Sequence, residues 1–254
     1  RVTELRGDAA LLDTLLQDRR RMLQALNPRC WTGTTQGPLT LHLARAGALE
    51  NAGICLHPPY GFAWIPGSGL KGMTRAFAET LTDAPDDDRQ RIFGWSPDGK
   101  ETDGAAGSVV FHDAWPTRWP TLVRDLSNSH HAKYYTGTRP EPPADYEEPV
   151  PISFLSVQSG TEFEFLLSKR SPATSDADLE LAQRWLTGAL THLGIGAKTA
   201  AGYGTVICAE QPAAPVAARR RETFEVELRL VTPAFLAGAQ QRAEDCDLRV
   251  PTLR

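Results

Sequence analysis

The sequence predicts an α+β domain, in which an antiparallel sheet carries helices on one face and a long loop region is inserted at about residues 114–149. Several segments repeat apolar residues at helical spacing. Short stretches between them alternate apolar and polar residues, as half-buried strands do. The inserted region is rich in Pro, Tyr, His and charge and has little periodicity, which favours a loop.

The N-terminal half predicts two helices and three strands. Apolar residues recur on one broad face of residues 8–26, which predicts the first helix. Residues 37–47 alternate and predict a strand. Residues 51–69 predict a short strand followed by a Gly- and Pro-rich loop, and then residues 68–82 predict a second helix with Ser68 as its N-cap. Residues 107–115 predict a short strand.

The C-terminal half predicts a hairpin, a helix and a last strand. Residues 150–168 predict two strands that turn at Ser159 and Gly160. Residues 176–194 predict a helix, and Gly194 is a residue type that commonly follows a helix C-terminus. Residues 203–210 predict the last strand. The order of these elements matches a βαββαβ, or ferredoxin-like, arrangement most simply.

Composition excludes several classes of protein. The net charge of −4 argues against a generally basic nucleic-acid coat protein, although an acidic scaffold can carry a local basic groove. Four scattered cysteines form no CxxC, and no apolar run is long enough to span a membrane, which predicts a cytoplasmic protein. Six histidines form no HxxxH or HxH, so neither a metal nor another cofactor is predicted. The acidic run at residues 86–88 predicts a solvated loop.

The segment GIGAKTAAGYG, residues 194–204, is the first candidate site and is called the glycine loop below. It lacks the order of a P-loop, and it follows a helix rather than a strand. Its glycines let bare backbone approach a ligand, and exposed N–H groups can bind anions. With Lys198 in its centre, it predicts contact with a phosphodiester backbone. The alternative is a helix C-cap followed by a tight turn.

Two further segments carry candidate binding groups. In WIPGSGLKGMTR, Ser68 and Gly69 lie at a helix N-terminus, and Lys71 and Arg75 share a helix face, which suits phosphate. The alternative is an ordinary capped helix. In RDLSNSHHAKYY, basic and aromatic residues suit RNA, and the alternative is a surface loop. The candidate RNA contacts of this segment are His130, His131, Lys133 and Tyr134.

The two separated motifs, IPGSGLKGMTR and LGIGAKTAAGYG, resemble the RAMP superfamily of CRISPR-associated proteins. The segments FGW, GSVVFHDAWP, RDLSNSHHAKYY and PVPISFLSV narrow the resemblance to sixth subunits of type III-B (Cmr) modules, over about residues 39–209. The pair Ser68 and Gly69 departs from the family's usual two serines. The resemblance implies RNA contacts at Ser68, Lys71, Arg75, Gly194, Gly196, Lys198, Thr199, Gly202, Tyr203 and Gly204.

The resemblance also implies a function. It implies an RRM-related fold and a structural subunit of an RNA-guided effector complex, which contacts crRNA near its 3′ end, target RNA and other RAMP subunits. An alternative is a metal-independent endoribonuclease, for which Asp125 and His130 are candidate acid–base groups. A third possibility is part of a fused single-chain effector.

Domain organisation follows from the same comparison of segments. Residues 1–210 are expected to form the RAMP domain, and the Ala-, Pro- and Arg-rich residues 211–222 a linker. The tail at residues 223–254 alternates as a new strand and resembles the start of the first subunit of the same module. The tail is therefore expected to begin a second, truncated RAMP-like unit.

Overall fold

The computed structural model describes residues 7–41, 54–96, 104–129, 131, 134 and 149–209. The chain separates into two units, Arg1–Arg219 and Arg220–Arg254, and the described residues all belong to the first. The predicted linker and second unit, at residues 211–254, lie outside the described part.

The first helix, α1, spans Ala9–Gln24 as its leucine pattern predicted. The Asp8 carboxylate caps it by accepting the N–H of Leu11 at 2.9 Å. Its inward face buries Leu12 and Leu16 in a small cluster with Phe62. Amphipathic spacing is sufficient to predict such a helix, because one face must find apolar partners.

The first strand, β1, spans Arg29–Thr35, ahead of the position where a strand was predicted. Within its described part, the predicted strand at 37–47 forms only an isolated bridge between Leu39 and Val157. The sequence of β1 shows little apolar alternation because, of its three buried positions, Trp31, Gly33 and Thr35, only Trp31 has a large apolar side chain. A Cβ on Gly33 would lie 2.8 Å from a Val206 methyl group. A strand of this kind carries little hydrophobic signal.

Two helices follow β1. Helix α2 spans Gly67–Thr80, close to its predicted range. Helix α3 spans Asp86–Phe93, so the prediction of a solvated loop at the acidic run was wrong. The three aspartates occupy the first turn of α3, where carboxylates stabilise the positive end of the helix dipole. Short strands come next: β2 Gly94–Trp95, β3 Ala105–Ala106, β4 Val109–Phe111 and β5 Trp115–Pro116.

Part of the predicted long loop region is a strand. Strand β6 spans Leu122–Ser129 and pairs antiparallel with β7, Val150–Val157; this pair is named the β6–β7 arm. Strand β8, Glu162–Lys169, follows a turn in which Gly160 has φ +81°. In the described part, however, β7 pairs with β6, while β8 pairs with β1, β4 and β5. The predicted β7–β8 hairpin is therefore wrong in its pairing, although the turn is present.

The main sheet has the strand order β4–β8–β1–β9, and all its pairs are antiparallel. Helix α4, Asp176–His192, connects β8 to β9, Val206–Cys208, and Ser175 caps its N-terminus. Along the chain the order is β1, α2, β4, β8, α4, β9. The predicted α+β class is confirmed, and this order fits the βαββαβ arrangement.

Helices α2 and α4 pack on one face of the sheet. Phe77 of α2 lies so close to α4 that a Cβ on Gly188 would come within 2.5 Å of its ring. Burying each large apolar side chain here contributes about 1.5–3 kcal/mol. The core on this face includes Trp31, Leu70, Phe77, Phe163, Phe165, Leu167, Leu179, Leu186 and Val206.

Helix α1 approaches β8 from the other side. Side chains alternate along a strand, so Glu164 points away from Phe163 and Phe165. Its Oε1 accepts the Nε–H of Arg20 at 2.8 Å. Glu164 is buried and the Arg20 side chain is 55% exposed, so the pair links α1 to β8 at the boundary between core and solvent.

Within the residues described, no helix is long and apolar enough to cross a membrane. The same residues contain no group of three or more His, Cys, Asp or Glu side chains that could hold a metal ion.

Candidate nucleic-acid interface

The glycine loop is hydrogen-bonded along most of its length to the protein itself. Gly194 N–H donates to Ala189 O at 3.1 Å and ends α4. Ile195 N–H donates to Gly204 O at 2.9 Å and closes the loop on itself. Ala197 N–H donates to Thr40 O at 2.9 Å. These N–H groups are satisfied internally, so they are not donors for an anion.

Two of the four glycines are required by close backbone packing. A Cβ on Gly204 would lie 1.9 Å from Ile195 O, and a Cβ on Gly196 would lie 2.3 Å from Thr40 O. Gly202 differs, because a Cβ there would meet nothing within 4 Å. The tight-turn interpretation therefore accounts for Gly196 and Gly204, whereas Gly202 lies at the open tip.

Lys198 is held in a defined position beside the β6–β7 arm. Its backbone is left-handed, with φ 61°, and the next residue, Thr199, begins the short 3₁₀ turn Thr199–Ala201. The Nζ atom donates to Ser127 Oγ at 3.1 Å and lies 5.1 Å from the centroid of the Phe154 ring. In the described part of the chain Lys198 forms no direct ion pair, although its charge attracts the nearby Asp125 carboxylate.

Tyr203 contacts the same arm. Its hydroxyl donates to Asp125 Oδ2, and its ring lies 6.2 Å from that of Phe154. Asp125 Oδ1 accepts the N–H of Leu126 at 2.7 Å. The bond from Tyr203, followed by that from Leu126, holds the pKa of Asp125 below its ordinary value. The same bond raises the pKa of Tyr203 to about 12.

The second motif begins at the N-terminus of α2, where the prediction of Ser68 as N-cap was wrong. Pro66 occupies the N-cap position, and Gly67 is the first helical residue. The cap comes from a distant aspartate, since Gly67 N–H donates to Asp113 Oδ1 at 2.7 Å. Ser68 is exposed and free of the capping role. Asp113 also places a carboxylate beside donors that a phosphate would use.

Gly69 connects the two motifs in space. An added Cβ would meet only Ile195 Cδ1, at 3.9 Å, so the site has room for the serine that the family pattern usually has there. The same distance shows that the first turn of α2 lies beside the glycine loop. Two motifs more than a hundred residues apart in sequence are thus neighbours in the fold.

Three cations lie on the outer face of α2 and beside it. Arg75 pairs with Glu79, with Nε and Oε1 2.8 Å apart. Burial, with the positive charges of Arg170 and Arg75, holds the pKa of Lys71 below its ordinary value. Lys71 forms no ion pair in the part of the chain that the structure describes. Arg170 was not predicted, and its only sequence signal is its place directly after β8.

The third predicted segment is described only in part. Asp125 lies on β6, at the contact with the glycine loop. His131 is half-buried, and Tyr134 is 44% exposed. His130 and Lys133 lie outside the described residues, so their predicted contacts stay predictions.

Comparisons with known proteins relate this chain to a family. The RAMP superfamily model matches residues 22–207. The CRISPR system Cmr subunit Cmr6 of Pyrococcus furiosus is 28% identical over 253 residues, covering 75% of this chain and 71% of that protein.

Solved structures give a second comparison. A chain of type III-B Cmr-β bound to cognate target RNA, solved by cryo-EM, has a TM-score of 0.62 and 20% identity. The match covers 80% of this chain and 66% of that chain, and it establishes a shared fold. The crystal structure of Cmr6 from Pyrococcus furiosus has a TM-score of 0.40 and 26% identity, covering 71% and 97% of the two chains.

Proposed function

This chain belongs to the RAMP superfamily, and we propose on that premise that it is an RNA-binding structural subunit of a type III CRISPR effector complex. The similarity to Cmr6 supports a place in a type III-B assembly beside other RAMP subunits. The neighbour solved with target RNA supports RNA as the ligand, either crRNA near its 3′ end or the target strand.

One observation carries the proposal: the two motifs that resemble the family meet in space, and among the described residues each presents a lysine without a direct ion pair. Lys71 lies on α2 and Lys198 in the glycine loop, and Gly69 and Ile195 join the two elements. Such cations are suited to a phosphodiester backbone, because counterions are released from the nucleic acid when they bind it. An acidic chain can bind RNA through such a local surface.

The environment of Asp125 favours binding over acid–base catalysis. A general acid must hold a proton near neutral pH, and a general base needs a free lone pair directed at the substrate. Both carboxylate oxygens of Asp125 accept hydrogen bonds, and those bonds lower its pKa. Asp125 is therefore ionised and holds no proton for a general acid to give, and one lone pair on each oxygen is already used by Tyr203 and Leu126, which suits a structural role.

RNA retention tests the proposal. The full-length protein is purified with its co-expressed partners, and the bound nucleic acid is extracted and sequenced for wild type and for Lys71→Ala/Lys198→Ala. We expect a discrete guide RNA in the wild type and its loss in the variant, because two phosphate contacts disappear.

Arg21→Ala is a control for the loss of a surface cation away from the site. Among the described residues Arg21 is an exposed cation on α1 that pairs with Asp18, at 3.4 Å, so its removal lowers the net charge by one, half the change in the double variant, without touching the site. This control should retain guide RNA. If the wild type carries no RNA, or if the double variant retains as much as the control, the proposed function is wrong.

A further inference from the structure

We propose that Asp125 and Tyr203 are positioning residues that hold the β6–β7 arm against the glycine loop and so present Lys198 to the RNA backbone. This inference rests on the proposed function and assigns to Asp125 a role other than catalysis. It starts from the contacts between one face of the arm and the loop.

The arm directs one of its two faces at the glycine loop. Asp125 lies directly opposite Phe154 in the β6–β7 register, and directly opposed residues share a face. Ser127 lies two residues further along β6 and therefore on the same face. All three contact the loop: Asp125 binds Tyr203, while Ser127 and Phe154 contact Lys198.

The two loop residues are held by different chemistry. Tyr203 donates to a carboxylate, and charge-assisted hydrogen bonds of this type are the stronger ones. Among the described residues, Lys198 donates to a neutral hydroxyl and lies over an aromatic ring, and its charge attracts Asp125 without a direct ion pair. The Tyr203 bond can fix the arm, while the contacts of Lys198 orient the ammonium group without a direct bond to a carboxylate.

The backbone of Lys198 shows that its position is imposed. Its φ of 61° lies in the left-handed region, which is uncommon for residues other than glycine. Such a conformation persists when the surroundings fix it. Ala201 N–H donates to Lys198 O at 2.9 Å, and the arm holds the side chain. Removing the arm contact would release the lysine from one of these two constraints.

Replacement of Asp125 distinguishes a positioning role from a simple charge effect, because the two predict opposite changes in RNA affinity. If Asp125 were only a negative charge near RNA, Asp125→Asn would tighten RNA binding. If it positions the loop, the same change weakens binding. Asparagine is neutral and offers one acceptor oxygen, so if Leu126 keeps that oxygen, Tyr203 can only accept a neutral hydrogen bond from the amide nitrogen, and the charge-assisted bond is lost.

The test measures binding of a fluorescein-labelled single-stranded guide RNA by anisotropy over a range of salt concentrations. It compares full-length wild type with Asp125→Asn, Tyr203→Phe, their double variant and Lys198→Ala. We expect Asp125→Asn and Tyr203→Phe each to bind RNA roughly tenfold more weakly than the wild type, because one charge-assisted bond is lost. The double variant should bind no more weakly than either single variant, since both remove the same interaction.

The salt dependence distinguishes a positioning residue from a contacting one. Lys198→Ala should lower the slope of log affinity against log salt by about 0.7, which is one phosphate contact on a single strand. Asp125→Asn and Tyr203→Phe should leave the slope close to that of the wild type. A global loss of structure would reduce slope and affinity together, and thermal unfolding of Tyr203→Phe checks for it.

Hydrogen exchange gives a readout that needs no RNA. Residues 122–129 and 150–157 should exchange faster in both positioning variants than in the wild type. Unchanged exchange, or tighter RNA binding by Asp125→Asn, would overturn the inference. If wild type binds RNA and Lys198→Ala weakens it while the other two variants bind normally, only the positioning role fails. If the wild type binds no RNA, the proposed function fails with it.

Discussion

The glycine loop predicts a large difference in stability between two alanine variants that look alike in sequence. Gly202 and Gly204 both have positive φ, 87° and 71°. An L-residue in this region costs about 1 kcal/mol, so backbone strain alone would make Gly202→Ala and Gly204→Ala nearly equal. Their surroundings differ, because a Cβ on Gly202 meets nothing within 4 Å.

The additional cost at Gly204 comes from a carbonyl oxygen. An added Cβ would lie 1.9 Å from Ile195 O, and real Cβ contacts essentially never fall under 3.0 Å. The backbone must therefore shift by about 1 Å, and overpacking of this kind costs about 1–3 kcal/mol. The shift also strains the bonds from Ile195 N–H to Gly204 O, at 2.9 Å, and from Gly204 N–H to Pro38 O, at 2.8 Å. Losing one of them costs about 1 kcal/mol more.

The expected destabilisation is thus about 1 kcal/mol for Gly202→Ala and about 3–5 kcal/mol for Gly204→Ala. Urea unfolding followed by circular dichroism measures both, and the midpoints are compared at equal slopes. The two variants have the same composition, so each is the control for the other. Equal midpoints would refute the argument that Gly204 is required by packing against Ile195.

Two further predictions concern α2. Asp113→Ala should destabilise the protein by about 1–2 kcal/mol, because Gly67 N–H loses its acceptor. Asp113→Asn keeps an acceptor oxygen and should therefore cost less stability. Chemical denaturation measures both variants, and equal losses of stability would contradict the capping role. Lys71 has a pKa held below its ordinary value, and phosphate binds its charged form. RNA affinity should therefore fall as the pH rises through the lowered pKa of Lys71, at a lower pH than an ordinary lysine would cause. Lys71→Arg should remove this fall in affinity, because arginine stays charged. Anisotropy between about pH 7 and pH 10 measures the affinity, and identical pH profiles for wild type and Lys71→Arg would contradict the prediction.

Helices α1, α2 and α4 were predictable from sequence, whereas helix α3 and the strand partners were not. Amphipathic spacing fixes a helix locally, so α1, α2 and α4 lie close to their predicted ranges. Alternation identifies a strand but says nothing about its neighbour, which is why β7 and β8 were joined into a hairpin. Strand β1 escaped prediction because Gly33 and its polar neighbours carry no alternating apolar signal.

The site was predictable at the level of motifs but not of partners. The sequence identified both the glycine loop and the start of α2. It could not show that Asp113 caps Gly67 across 46 residues, or that Asp125 binds Tyr203 across 78. Such pairs depend on the tertiary fold. Neither could it show that Arg170, at the end of β8, adds a charge beside Lys71.

The two motifs share one arrangement, in which backbone groups bind within the protein and a lysine side chain carries the charge. At each, some of the backbone donors that could bind an anion are used within the protein: Gly67 N–H by Asp113, and Ile195 and Gly204 N–H by carbonyl groups. At each, a lysine is without a direct ion pair in the described part of the chain. A point charge of this kind attracts any phosphodiester, whereas a rigid set of backbone donors would demand one geometry. On the proposed function, the surface is therefore suited to contact an RNA backbone without reading its sequence.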